Sequence, residues 1–152
     1  MKPKILVLGS SSFSGASMVK YLLDNNKYSV YGTFRRKKVS TYLPYKFSKN
    51  FRLFKEYKID LTKNSAQLLN LIAKIKPKFI IDFASICMVN ESWKNSQIYF
   101  QTTVSSKIKM IEYLSQSNFL KKYVYISTPE IFGSSKKFIH ENHSIFNPST
   151  PY

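Results

Sequence analysis

The chain has 152 residues, 43% of them hydrophobic, which is enough for one buried core and excludes a disordered polymer. Its 24 Lys and Arg against 8 Asp and Glu give a net charge of +16, and it carries a single cysteine, Cys87, so no disulfide framework is available. No stretch reaches the roughly 18 uncharged apolar residues of a membrane span, and the opening apolar run breaks at Gly9, which speaks against a secretory signal and for a reducing, cytoplasmic setting.

The first element is the buried strand "KILVLG" (4–9), followed by a helix whose face carries Met18, Val19, Leu22 and Leu23 and which ends at "DNNK". "YSVYGTF" (28–34) and "FRLFKEYKID" (51–60) read as the next two strands, separated by a basic loop. Leu68, Leu69, Ile72 and Ile75 then repeat at helical spacing until Pro77 stops them. "KFIIDFAS" (78–85) is a fourth strand and "KKYVYIST" (121–128) a fifth. Between them Val104, Ile108, Ile111 and Leu114 mark one long amphipathic helix. Alternating strands and helices call for a doubly wound parallel sheet, with a ligand site at the carboxyl ends of the strands. Residues 1–133 read as that α/β domain, and 134–152 as a loop with no second core behind it.

Glycine is scarce, four in the chain, so its placement informs. Gly9 and Gly15 bracket "GSSSFSG" between the first strand and first helix, where backbone N–H groups and the helix dipole can hold a pyrophosphate. The alternative is a plain strand-to-helix turn. After the second strand, "GTFRRKK" offers Arg35 and Arg36, and no Asp or Glu occurs between Asp24 and Glu56. Arginine there suits the 2′-phosphate of NADP, whereas NAD binders place a carboxylate for the ribose hydroxyl.

The positive charge would suit nucleic acid, but no nucleic-acid motif accompanies it. Most of the lysines are read as solvated surface, and a few as facing an anionic small molecule. His140 and His143 share a polar loop with Glu141, a spacing more often solvated than metal-binding, and no metal site is assigned. Cys87 is read as a small core residue after the fourth strand.

"ILVLGSSSFSG" resembles the "TGxxGFIG" turn of the extended short-chain dehydrogenase/reductase superfamily, with Ser12 at the middle glycine. The resemblance continues along the chain. "IDLT" is similar to the "DLxD" segment, "DFAS" with "ICMVNESW" to "NxAAQSHVxxS", "STPEIFG" to "STDEVYG", and "FNPSTPY" to "xNPxNPYxxSK". It implies a Rossmann sheet of order 3-2-1-4-5, cut before a substrate domain. It also implies a cofactor site of Gly9, Ser11, Ser12, Phe13, Ser14 and Gly15 at the phosphates, Asp60 and Leu61 at the adenine, and Phe83, Ala84 and Ser85 on the nicotinamide side. Asp82 and Met88 replace the usual Asn and His.

Within that superfamily "STPEIFG" points to the nucleotide-sugar 4,6-dehydratases, and the Arg35–Arg36 pair resembles the GDP-mannose dehydratase branch. The resemblance implies Glu130 as the base at sugar C5, Thr128 as hydrogen-bond partner of the C4 oxygen, and Tyr152 as the tyrosine of the YxxxK pair, its lysine four residues past Tyr152. Pro129 stands where dTDP-glucose dehydratases have an acid. NADP is the implied cofactor with NAD the alternative, a nucleotide sugar the substrate, and a homodimer the full-length assembly. A 4-epimerase or reductase of the same superfamily, a non-catalytic dinucleotide-binding module, and a basic RNA-binding domain reusing the fold remain the rival readings.

Overall fold

A computed structural model of the chain describes residues 1–36, 42–142 and 145–152. Five parallel strands, β1 (Lys4–Leu8), β2 (Ser29–Phe34), β3 (Lys55–Lys58), β4 (Phe79–Asp82) and β5 (Lys122–Tyr125), form one sheet in the order β3-β2-β1-β4-β5. The expected order is the observed one. β1, β3, β4 and β5 end before their apolar runs do, because the chain leaves the sheet early at the carboxyl ends, where Gly9, Phe83–Ser85 and Ile126–Thr128 form loops instead; β2 runs to Phe34 as expected and starts one residue late.

β1 is buried on both faces, and alternation of its side chains sorts them. Leu6 and Leu8 join one core with Ile80, with Leu68, Leu71, Ile72 and Ile75 of α2 (Ser65–Ile75), and with Met110 and Leu114. Ile5 and Val7 join the opposite core with Ala16, Val19, Leu22 and Leu23 of α1 (Phe13–Asn25). Each Val, Leu, Ile or Met side chain among these, fully buried, contributes about 1.5 to 3 kcal/mol of transfer free energy.

The helix ends follow from local chemistry. Ser12 caps α1, its Oγ accepting from the Gly15 amide at 3.1 Å, and Asn26 closes it in the left-handed conformation at φ 51°. Lys76, at φ 50°, closes α2 just before Pro77.

Two departures from the sequence reading have physical causes. Phe51–Leu53 is a 3₁₀ turn, not the start of β3, because the segment packs over α1 through Leu43 and Tyr45, both buried, before it turns into the sheet. The long helix is also broken, into α3 (Val89–Lys94), α4 (Ser96–Phe100) and α5 (Ser106–Ser115), with a π-helical turn at Gln101–Ser105 between the last two. Of its four expected core positions only Leu114 is buried. Val104, Ile108 and Ile111 are exposed, and Thr102, Ser106, Lys107 and Met110 take the inward places. The widened turn advances the inward face, so that the consecutive residues Ser106 and Lys107 both point at the sheet.

The sheet is unevenly covered. On the α1 side, β4 and β5 leave Phe79, Ile81 and Val124 lining an open groove of about 350 Å³ beside Met18 and Leu22. Among the described residues no helix is long and apolar enough to cross a membrane.

Candidate functional site

β1 pairs with β2 on one side and β4 on the other, so the chain's crossovers diverge from it and leave a crevice at its carboxyl end. Gly9 sits there with φ +74°. A Cβ at that position would lie 2.9 Å from the Ala84 amide nitrogen and the Phe83 carbonyl. A Cβ at Gly15 would lie 2.2 Å from the Gly9 carbonyl oxygen, so the turn and the helix it opens pack too closely for side chains at either point. The Ser12 amide donates to the Gly9 carbonyl at 3.0 Å, completing a tight turn at the mouth of α1.

The crevice is a trough in two halves. One, about 190 Å³, is lined by Gly9, Ser11 and Ser12 of the turn, Arg35 and Arg36 beyond β2, Asp60 and Leu61 beyond β3, and Phe83, Ala84 and Ser85 beyond β4. The other, about 390 Å³, is lined by Phe13 and Ser14 at the start of α1, by Thr128 and by Tyr152. Ser12, Phe83 and Ser85 border both halves. Gly15 borders neither and serves behind the turn.

Electrostatics differ between the halves. The first is lined by two basic residues, Arg35 and Arg36. Partial burial opposes ionisation of Asp60, but the Thr62 hydroxyl at 2.7 Å and amide at 3.0 Å, with Arg35 and Lys63 behind them, hold its carboxyl below the usual range. The Ser11 hydroxyl donates to the Arg36 carbonyl at 3.3 Å and ties the turn to the end of β2. Glu56, the next carboxylate along the chain from Asp24, accepts from the hydroxyls of Ser10 at 2.6 Å and Tyr45 at 3.1 Å, behind the turn. In the second half, Thr128 caps a 3₁₀ turn at Pro129–Phe132 and donates to the Glu130 carboxylate at 3.2 Å. Glu130 does not line the trough itself; it reaches it through Thr128. Tyr152 packs edge-on against buried Tyr99, ring centroids 6.3 Å apart.

A sequence model of the GDP-mannose 4,6 dehydratase family matches residues 6–152. The chain belongs to that family. Members and neighbours of this family share a wider superfamily, and the similarities spread across it. A UDP-glucose 4-epimerase of Pisum sativum is 29% identical over 88% of this chain and 39% of its own. A dTDP-D-glucose 4,6-dehydratase of Dictyostelium discoideum is 26% identical over 98% of this chain and 37% of its own. In fold, the UDP-Glc/GlcNAc 4-epimerase of Campylobacter jejuni superposes with TM-score 0.83 at 21% identity, covering 99% of this chain and 44% of that one. The UDP-glucose 4-epimerase of Brucella ovis, whose structure contains NAD, superposes at 0.77 and 19% identity, covering 99% and 43%. The chain therefore spans less than half the length of these relatives. The sheet and helices are those of the epimerase/dehydratase superfamily over its N-terminal part.

Family membership leaves several residues of this trough to be found in the structure. Thr102 borders the first half and Thr103 the second, both from the π turn. Their signal was in the sequence: "QTTVSSK" is a polar run inside an otherwise apolar-periodic helix. Cys87 is exposed and borders the second half, contrary to the core reading, because β4 ends at Asp82 and residues 83–88 form the wall of the trough. His140 lies exposed in its loop, and His143 lies outside the described residues.

Proposed function

We propose that this chain is the dinucleotide-binding part of a nucleotide-sugar 4,6-dehydratase and that it prefers NADP(H) to NAD(H). The observation that supports the cofactor reading is the trough across the β1 crevice. Its middle is the Gly9–Gly15 turn at the N-terminus of α1, a site for a pyrophosphate, and one end carries two arginines. The Glu56 carboxylate, engaged by Ser10 and Tyr45, is held away from a ribose in that half.

The dehydratase reading adds the second half of the trough. When bound, the cofactor supplies the acceptor for the hydride from sugar C4 and the donor that returns it to C6. Tyr152 takes the proton of the C4 hydroxyl, Thr128 hydrogen-bonds the C4 oxygen, and Glu130 removes the C5 proton as hydroxide leaves C6. Pro129 has no acidic proton, so the leaving hydroxide draws its proton from another group or from water. Glu130 favours this reading over a 4-epimerase, which needs no base at C5; the epimerases among the relatives are what favours the second reading. The full-length protein is read as a homodimer. Phe100, Val104, Ile108 and Ile111 form an exposed apolar stripe along α4 and α5, the kind of face a second copy covers.

Calorimetry with NADPH and NADH tests the cofactor. The wild type is expected to favour NADPH, and Arg35→Ala to erase about 1.5 to 3 kcal/mol of that preference. Equal affinity in the wild type would overturn it. The reaction is tested by assaying GDP-mannose and dTDP-glucose for 4-keto product, with the chain joined to the C-terminal half of a related dehydratase. Product that disappears on Glu130→Gln and Tyr152→Phe supports the assigned roles. A 4-epimer in place of the keto sugar would select the second reading.

A further inference from the structure

An ion pair lies buried behind the trough, between Asp82 at the end of β4, 0% exposed, and Lys107 in the first turn of α5, 5% exposed. The carboxylate accepts from the Lys107 ammonium, from the Tyr123 hydroxyl at 2.8 Å and, through Oδ1, from the Ala84 amide at 2.9 Å. The ammonium donates in turn to the Ala84 carbonyl at 3.0 Å and stands 4.6 Å above the Tyr125 ring. Both polar groups of one residue's backbone are thus held by the two members of one ion pair.

That residue is in the wall of the trough. From the other side, the Cα of Gly9 approaches the Phe83–Ala84 peptide so closely that no side chain fits between them. The far end of the wall is fixed as well, since the Tyr99 hydroxyl donates to the Met88 carbonyl at 2.5 Å. A buried ion pair is a poor way to gain stability, because removing two charges from water offsets their attraction, and apolar residues of like volume serve as well or better. What an apolar pair cannot do is grip an amide and a carbonyl at once.

We propose that Lys107 is a positioning residue: with Asp82 it fixes the Phe83–Ser85 wall where the two halves of the trough meet, and so governs the reactive end of a bound dinucleotide and not its adenine end. The inference rests on the dinucleotide reading. It follows from the layout of the trough: the arginines and Asp60 mark one end, Thr128 and Tyr152 the other, and Phe83 and Ser85 border both.

The test compares NADPH with 2′-phospho-ADP-ribose, which lacks only the nicotinamide, by calorimetry on the 152-residue chain, together with the emission of bound NADPH. The variants are Lys107→Met, the double change Asp82→Asn with Lys107→Met, and Tyr123→Phe. Tyr123→Phe removes a hydrogen bond from the same carboxylate without touching Ala84. Lys107→Met and the double variant are expected to bind NADPH about tenfold more weakly, with altered emission, while 2′-phospho-ADP-ribose is held as in the wild type. Tyr123→Phe is expected to leave both affinities unchanged. Equal losses for the two ligands, or an unchanged NADPH affinity, would overturn the proposal. So would a double variant that does not fold, since the pair would then be spent on the fold alone. Wild-type protein that binds neither ligand refutes the dinucleotide reading itself, an outcome distinct from all of these.

Discussion

Ser12 shows how a single side chain can be legible in kind and not in role. The sequence places a hydroxyl where relatives of this turn carry glycine, which reads either as crowding at the phosphate or as a phosphate ligand. In the structure the hydroxyl oxygen turns back and caps α1 through the Gly15 amide. Ser12→Ala is accordingly expected to lower unfolding free energy by about 1 kcal/mol and Ser12→Gly by only a few tenths, measured by chemical denaturation. The glycine variant then reports phosphate contact cleanly, because its fold is nearly intact. Asp60 yields a second test. Its carboxyl titrates below the unfolded value of 3.8, so its stabilising contribution is complete above that value and is lost as pH falls through the lower native one. The stability gap between the wild type and Asp60→Asn is expected to be present at pH 7 and to shrink as pH falls below 3.8. A gap that stays constant on acidification would mean that the Thr62 hydrogen bonds do not favour the ionised form. Gly9 and Arg35 could be picked out from sequence because each follows a strand, and Asp60 and Thr128 only because their segments resemble a family's motifs. Lys107 could not, since its burial depends on Asp82, 25 residues earlier and joined to it only by the fold.

Among the elements, the strands were readable because parallel strands covered by helices are short apolar runs: KILVL is such a run buried on both faces, and FIID one buried on its α2 side and half-buried on the other. The long helix marked by Val104, Ile108, Ile111 and Leu114 was readable as helix, but not its breaks or its orientation. Val104, Ile108 and Ile111 do repeat at helical spacing, but periodicity reports an apolar face without saying what covers it, and here the sheet takes the polar side. Replacing Ile108 and Ile111 by glutamate is expected to leave the circular dichroism of the monomer unchanged and, in a full-length protein, to shift a dimer to monomer in analytical ultracentrifugation. A folding defect in the monomer would instead mean that the stripe is covered within the chain. A smaller effect belongs to α2. Lys76 closes that helix at φ 50°, a conformation costly for any residue with a Cβ. Lys76→Gly is expected to stabilise the protein by about 0.5 to 1 kcal/mol, the strain relieved exceeding the extra entropy of unfolded glycine.

At the scale of the molecule, 152 residues build the trough across the β1 crevice within less than half of the relatives' length. On the proposed function, these residues tested by themselves are expected to bind a dinucleotide and to form no 4-keto sugar, because they span less than half of the relatives' length, and proximity can account for about 7 to 11 kcal/mol of a barrier. Turnover by these residues alone would refute that division of labour. The open groove over Phe79, Ile81 and Val124 has a further consequence, one of colloid chemistry. With a charge of +16, two molecules in dilute buffer repel each other well before their greasy flanks can touch. The range of that repulsion falls from about 30 Å at 0.01 M salt to about 3 Å at 1 M. Light scattering on a salt series should therefore show the second virial coefficient passing from positive to negative as the ionic cloud thins. A β4–β5 face made polar by Ile81→Thr and Val124→Thr should postpone that crossing to higher salt.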